Sequence, residues 1–260
     1  FILVEHHLHA QFACEALKMG KHVFVEKPLA LNNLELNEID ALYTRLRSES
    51  PEYPILMVGF NRRFSPHVTR IRQMLEGRTE PLCMNMTVNA GYIPPGHWTQ
   101  DPLRGGGRII GEGCHFIDLL SFVAGSPVST IHGQMVGGNQ QIREDKMSMV
   151  LGFADGSVGT INYFASGSKS YPKESLEIFG NGRVIHLDNF RTTKPYGFRG
   201  YRSFRTWRQD KGHHAEVEAF LNSIAAKAPS PIPFEQIVNV TRATFSAIAS
   251  AKEERTVHVD

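Results

Sequence analysis

Cysteine is scarce in this chain of 260 residues, and its spacing excludes two classes of protein. Only Cys14, Cys83 and Cys114 occur, far apart and with no CxxC or CxxH pair. Disulfide scaffolds need an even set of cysteines, and structural zinc sites need ligands at short spacing. The sequence therefore predicts reduced thiols and a cytoplasmic location.

Long apolar runs and an excess of one charge are also missing. No stretch reaches the ~18 uninterrupted apolar residues that a membrane helix needs. The 28 Lys and Arg nearly balance the 26 Asp and Glu, so the formal net charge is +2. We expect neither a nucleic-acid partner nor a membrane partner. A hydrophobic content of 41% is typical of a folded globular chain.

The first four residues, Phe1 to Val4, form an apolar run without a preceding Met or a basic flank. These features are not those of a signal peptide. The run predicts a buried strand entered partway through a fold. We therefore expect the chain to be the C-terminal piece of a longer protein.

Element types alternate in the first quarter of the chain. The pattern predicts strands at 1–4, 22–25 and 54–59, separated by helices at 10–19 and after Asn32 or Asn33. Strand, helix, strand, helix, strand is the pattern of a parallel sheet with crossover helices. Residues 1–63 are therefore predicted to be the remnant of a dinucleotide-binding domain.

A different pattern follows Gly59. We predict a helix at 66–76, a strand at 82–89, an irregular loop at 91–111 and a helix at 115–123. Five strands then follow at 129–136, 147–153, 158–164, 176–179 and 184–187, and two helices near 213–227 and 234–253. Asp155-Gly156 and Asn181-Gly182 favour type I′ hairpins, so this sheet should be mainly antiparallel. The fold class is therefore α/β, with an incomplete Rossmann-like parallel domain followed by an α+β domain over 64–260.

No glycine-rich phosphate motif of the G-x-G-x-x-G or P-loop type occurs in the sequence. The Gly105-Gly106-Gly107 cluster neither follows a predicted strand nor opens a helix. The motif normally lies after the first strand of a dinucleotide-binding domain, and we expect that strand to precede Phe1.

The segment Gly20-Lys-His-Val-Phe-Val-Glu-Lys-Pro28 is the most informative. It places Glu26 and Lys27 at the carboxyl end of a parallel strand, where ligands of open α/β sheets bind. Pro28 keeps Lys27 extended and ends the strand. From spacing alone, a surface Glu–Lys pair is an equal alternative.

This segment resembles the signature of the Gfo/Idh/MocA family of NAD(P)-dependent sugar and cyclitol oxidoreductases. Residues 6–10, 59–64 and 105–118 resemble further family segments in the same order. The resemblance implies hydride transfer between NAD or NADP and a secondary alcohol of a sugar, sugar derivative or cyclitol. Two alternatives stay open: a non-catalytic ligand-binding or oligomerisation domain, and a redox-neutral enzyme that oxidises its substrate transiently.

The resemblance also implies residue roles. Lys27 would lie between the nicotinamide ribose and the substrate hydroxyl, with Glu26 and Pro28 on the cofactor side. His115 would accept the hydroxyl proton, a role that suits an imidazole titrating near neutrality. The alternative for His115 is a helix-terminal side chain bonded to backbone.

Matching positions carry further expectations. His6, His9 and Asn61 would line the cofactor pocket, and Arg62 would approach the substrate; a solvated His-rich loop is an equal alternative for the histidines. Because aromatic faces pack on the C–H faces of sugars, we expect Trp98 to form a sugar-facing wall, with core or lid packing as an equal alternative. We expect no metal site at the three N-terminal histidines, because no carboxylate or thiol lies at a ligand spacing.

One position departs from the family pattern. Many relatives carry aspartate four residues before the catalytic histidine, where this chain has Gly111. We expect Glu112 to take over that carboxylate's place in catalysis by supporting His115 or by binding a substrate hydroxyl.

The predicted antiparallel sheet suggests assembly. Met147, Met149, Leu151 and Phe153 alternate along one strand, and only two helices remain to cover the sheet. One face should therefore be left for a partner, and relatives commonly pair through this sheet. We expect a homodimer.

Overall fold

A computed structural model of the chain describes residues 1–137 and 146–259. In this part of the chain the α-helices are α1 (His9–Lys18), α2 (Asn33–Glu49), α3 (Pro66–Met74), α4 (Cys114–Ala124), α5 (His213–Ala225) and α6 (Phe234–Glu253). Short 3₁₀ turns lie at His6–Leu8, Asn61–Phe64 and Trp98–Gln100, and a π-helical turn at Ile109–Gly113. None of these helices is long and apolar enough to cross a membrane.

The described strands form two sheets. They are β1 (Val23–Val25), β2 (Leu56–Val58), β3 (Cys83–Asn89), β4 (Val128–Met135), β5 (Lys146–Phe153), β6 (Val158–Phe164), β7 (Glu174–Gly180), β8 (Arg183–Asp188), β9 (Thr192–Tyr196), β10 (Phe204–Arg205) and β11 (Val257–His258). Of the predicted second domain, residues 138–145 and 260 lie outside the described residues.

The small sheet is parallel, as the alternation of elements predicts. Strands β1 and β2 pair in register from Val23 with Leu56 to Val25 with Val58, and both are buried throughout. The predicted buried strand at 1–4 is wrong. Only Ile2 is tied to the sheet, by a single bridge to Val25. Phe1 and Leu3 remain 64% and 66% exposed because their backbones pair with nothing described.

Local sequence signals explain where the helices of this part begin and end. The Asn32 side chain accepts a hydrogen bond from the Glu35 backbone, and the Glu35 carboxylate accepts one from Leu31. This reciprocal capping fixes the start of α2 at Asn33, which resolves the choice left open by the sequence. Gly20, after α1, has a φ of +68°, the left-handed conformation expected of a C-cap glycine.

The large sheet has nine described strands in the order β10-β9-β8-β7-β3-β6-β5-β4-β11. Only β3 and β6 pair in parallel, so the prediction of a mainly antiparallel sheet is confirmed. Strands β9, β10 and β11 were not predicted, because they are short edge elements without regular apolar alternation. Asn181 and Gly182 both have positive φ and form the expected hairpin turn. At the other turn only Gly156 does, so Asp155-Gly156 is not type I′.

The two faces of this sheet differ in exposure. Alternate residues of β5, from Met147 to Phe153, are buried on the face that α4 and α6 cover, together with Ile161 and Tyr163 of β6. The opposite face keeps Val150, Val158 and Phe179 exposed.

The long loop after β3 ends earlier than predicted. The expected irregular segment runs to 111, but the chain is already helical at Ile109 and passes from the π-helical turn directly into α4. The glycine content of 105–113 suggested a loop, while tertiary packing holds the segment in a widened helical turn.

Candidate active site

The carboxyl end of β1 faces the π-helical turn that leads into α4. Lys27, two residues beyond β1, donates a hydrogen bond from Nζ to the Gly111 carbonyl over 2.9 Å. This contact joins positions 84 residues apart and closes the space between the small parallel sheet and the second half of the chain. The Gly20–Pro28 segment therefore contacts the 105–118 segment, and both resemble family motifs.

His115 lies in the first turn of α4, in the same region, and is 7% exposed. Its side chain makes no hydrogen bond with any described residue, and Nδ1 is fully buried without a partner. Burial, reinforced by the positive charges of Arg62 and Lys27, holds the pKa of His115 well below its usual 6.5. The imidazole is therefore neutral at pH 7 and has a lone pair with which to accept a proton.

Gly111 is packed under the ring of His6. A Cβ at Gly111 would lie 2.8 Å from His6 Cε1, so glycine is what permits this approach. His6 Nδ1 donates to the Gly105 carbonyl over 2.8 Å, and burial lowers the pKa of His6 to about 4. Trp98 meets the same ring edge-on, with 4.8 Å between ring centroids. His6 therefore occupies the space into which a longer side chain at 111 would project.

Glu112 does not contact His115, contrary to the expectation from the sequence. Its carboxylate accepts hydrogen bonds from Arg108 at 2.7 Å, from Lys173 at 2.7 Å and from the Tyr163 hydroxyl. Although burial opposes it, the Lys173 ammonium and these hydrogen bonds lower the pKa of Glu112 to about 2. Glu112 lies in the π-helical turn and His115 in α4, and the partners of the Glu112 carboxylate are Arg108, Lys173 and Tyr163.

A second buried carboxylate lies nearby on β7. Glu174 accepts two hydrogen bonds from Arg62, at 2.8 and 2.9 Å, and one from Lys211 at 2.6 Å. The Arg62 guanidinium also lies 4.8 Å from the Phe116 ring centroid. Arg62 is thus held in place by protein groups. The neighbouring Arg63 pairs with Asp118 inside the protein.

The remaining predicted cofactor residues surround the ends of β1 and β2. His9 binds two carbonyl groups through its ring nitrogens, that of Pro28 at 2.7 Å and that of Val4 at 3.0 Å. Asn61 donates to the Lys211 carbonyl and lies 3.2 Å from His213 Nε2. These contacts give His9 a role in holding the turn after β1.

The Glu26 carboxylate lies against the end of β2. A Cβ on Gly59 would lie 3.2 Å from the Glu26 carboxylate, so glycine lets Glu26 cover the end of β2. Nδ1 of His115 is buried without a hydrogen-bond partner among the described residues, and the charge of Lys27 contributes to the lowered pKa of His115. Within 1–137 and 146–259 no group of three or more His, Cys, Asp or Glu side chains is placed to hold a metal ion.

Sequence reasoning missed four charged residues of the site. Arg108, Lys173, Glu174 and Lys211 come from a glycine-rich turn, the first residues of β7 and the segment before α5. No local motif marks Lys173, Glu174 or Lys211, because their partners are distant in sequence, whereas Arg108 pairs with Glu112 four residues along the chain.

Comparisons with known proteins bear on this site. Residues 1–60 match the family model described as "Oxidoreductase family, NAD-binding Rossmann fold", and residues 70–186 match that of the "GFO/IDH/MocA C-terminal domain". Myo-inositol 2-dehydrogenase of Thermotoga maritima is 26% identical over 97% of this chain and 77% of its own length. Inositol 2-dehydrogenase of Rhizobium meliloti is 25% identical over 96% of this chain and 77% of its own.

The fold has solved counterparts as well. Levoglucosan dehydrogenase in complex with NADH superposes with a TM-score of 0.83, covering 100% of this chain and 79% of that protein. At 20% sequence identity this likeness concerns the fold alone.

Proposed function

The chain belongs to the Gfo/Idh/MocA family of NAD-binding oxidoreductases, and on that premise we propose that it transfers hydride between NAD or NADP and a secondary alcohol of a sugar, sugar derivative or cyclitol. One observation carries the proposal. The buried His115, whose Nδ1 has no hydrogen-bond partner among the described residues, lies within the electrostatic reach of Lys27, which follows the carboxyl end of a parallel strand.

The proposed mechanism uses this pair. When bound, the nicotinamide supplies the redox chemistry by accepting hydride from the carbinol carbon. Lys27 keeps two ammonium hydrogens beyond the one donated to Gly111, and with them it orients the substrate hydroxyl. His115 accepts the hydroxyl proton as the carbonyl forms, which its low pKa permits across the neutral range.

The other site residues have supporting roles in the proposal. His6, His9, Glu26, Pro28 and Asn61 shape the cofactor side, of which His9 acts through the Pro28 carbonyl. On the substrate side are Arg62 and Trp98, the latter packed on His6. Glu112 is a positioning residue that holds Lys173.

We assign residues 1–63 to cofactor binding and 64–260 to substrate binding and assembly. The small parallel sheet and the nine-stranded sheet support this division. The exposed apolar side chains on the outer face of the large sheet support a homodimer. Three free cysteines, two of them buried, support a reducing cytoplasmic location.

Two assays test the function. Titration of NADH fluorescence measures cofactor binding, and absorbance at 340 nm measures oxidation of myo-inositol and related polyols. Lys27→Ala should lower turnover at least about tenfold, equivalent to about 1.4 kcal/mol of barrier. Lys21→Ala is the matched control, because Lys21 is exposed on the same segment before β1. A protein carrying this chain that binds neither NADH nor NADPH would refute the enzyme function and leave a non-catalytic domain.

A further inference from the structure

The candidate active site carries more positive charge than its protein groups neutralise. Each of the two buried carboxylates is shared by two cations. Glu112 binds Arg108 and Lys173, and Glu174 binds Arg62 and Lys211.

Lys27 adds a further positive charge, since its ammonium binds a carbonyl and not a carboxylate. The Arg63–Asp118 pair is neutral, and Glu26 contributes one negative charge at the end of β1. Six cations and four carboxylates thus leave 6 − 4 = +2.

The Asp210 carboxylate, which acts on His213, offsets one of these charges and leaves +1, and the other titratable groups add no further negative charge. The pKa of His115 is lowered by burial first and then by the charges of Arg62, Lys27 and Lys173, and His213 lies close enough to add to the effect. Burial and the Glu26 charge raise the pKa of Glu216 to about 8, so that this acid is protonated at pH 7. The positive character of the cleft therefore persists at neutral pH.

Lys173 is the cation of this set that is best placed to meet a ligand. Arg62 and Arg108 are almost fully buried, and their guanidinium groups are bonded to protein. The Lys173 side chain is 39% exposed, and within 1–137 and 146–259 its ammonium has one hydrogen-bond partner, Glu112 at 2.7 Å. Two ammonium hydrogens remain for a ligand, and the Glu112 contact fixes their position.

We propose that the substrate is an acidic sugar whose carboxylate binds Lys173. This inference rests on the proposed function and specifies its substrate class as an aldonic or uronic acid. An oxidised nicotinamide would bring another positive charge into an already cationic cleft, which is unfavourable unless the substrate is negative. A single carboxylate matches the single exposed ammonium in charge, whereas a phosphate dianion would have to rely on Lys173 alone, because the guanidinium groups of Arg62 and Arg108 are bonded to protein.

Binding of a matched pair of probes tests the proposal. D-gluconate and D-glucitol share a carbon skeleton and differ in a carboxylate against a hydroxymethyl group. We expect calorimetry on the NADH-bound protein to show gluconate binding at least about tenfold tighter than glucitol, with an affinity that falls as salt rises. D-glucitol 6-phosphate serves as the phosphate arm and should bind more weakly than gluconate.

Two variants assign the effect to Lys173. Lys173→Gln should weaken gluconate binding at least about tenfold and leave glucitol binding within twofold, while Lys173→Arg should retain the preference for gluconate. Lys169→Gln removes an exposed charge from the same segment and should change neither affinity.

The outcomes separate the two proposals. Four results would each overturn the acidic-sugar inference. They are equal binding of gluconate and glucitol, undetectable gluconate binding, tighter binding of glucitol 6-phosphate than of gluconate, and equal losses of affinity for gluconate and glucitol in Lys173→Gln. Failure to bind NADH would instead overturn the proposed function.

Discussion

Glu112 is expected to stabilise the fold in a pH-dependent way. Its carboxylate joins Arg108, Lys173 and Tyr163, and its side chain is only 18% exposed, so solvent screens these contacts little. Shifting a carboxyl pKa from 4.5 to about 2 corresponds to roughly 3 kcal/mol of stability at pH 7. Removal of one partner from a buried ion pair costs about 3–5 kcal/mol, which agrees with that figure.

The sign of the pH dependence follows from the lowered pKa. The stabilisation is complete above the unfolded pKa of 4.5 and is lost as pH falls through the folded value of about 2. Glu112→Gln should therefore be destabilised by roughly 3 kcal/mol at pH 7, and by about half of that at pH 3.

Urea denaturation of both proteins at several pH values measures this difference. Glu76→Gln is the matched control, because Glu76 is exposed and should cost less than about 0.5 kcal/mol. The reasoning fails if Glu112→Gln is as stable as the wild type at pH 7. A penalty that is the same at pH 7 and pH 3 would also refute the electrostatic origin.

Three further predictions concern the same region. Gly111→Asp should cost about 1–3 kcal/mol through its clash with His6, and His6→Ala in the same protein should recover part of the loss; thermal unfolding of the single and double variants measures this coupling. Glu216→Gln should be more stable than the wild type at pH 8, because the raised pKa makes ionisation of the buried acid costly; the gain should vanish below pH 4.5, and a pH-independent gain would contradict it. Finally, kcat/KM should not fall between pH 8 and pH 6 through protonation of His115, since the pKa of His115 lies well below 6.5. Loss of activity in His115→Ala with a wild-type Tm would assign His115 as the base. A fall in the wild-type kcat/KM with an apparent pKa near 6.5 would count against it.

Several features of the molecule were fixed by local sequence. The β1 strand and its Glu26-Lys27-Pro28 end, the Asn32 cap and the Asn181-Gly182 hairpin all appear where the residues predict them. Each depends on interactions within a few residues: alternation of apolar side chains, a capping side chain, or glycine in a left-handed turn. For the same reason, the motifs that indicated the family could be recognised without a structure.

The electrostatic character of the site was decided by tertiary structure. The sequence suggested that Glu112 would support His115, but folding gives Glu112 to Arg108 and Lys173 and places Lys27 against the Gly111 carbonyl. Partners that lie 112 residues apart in the chain, such as Arg62 and Glu174, are invisible to any local pattern. A charged side chain takes its pKa from the groups packed around it and from the water excluded there, so only the folded chain determines which acid is paired and which base is left free.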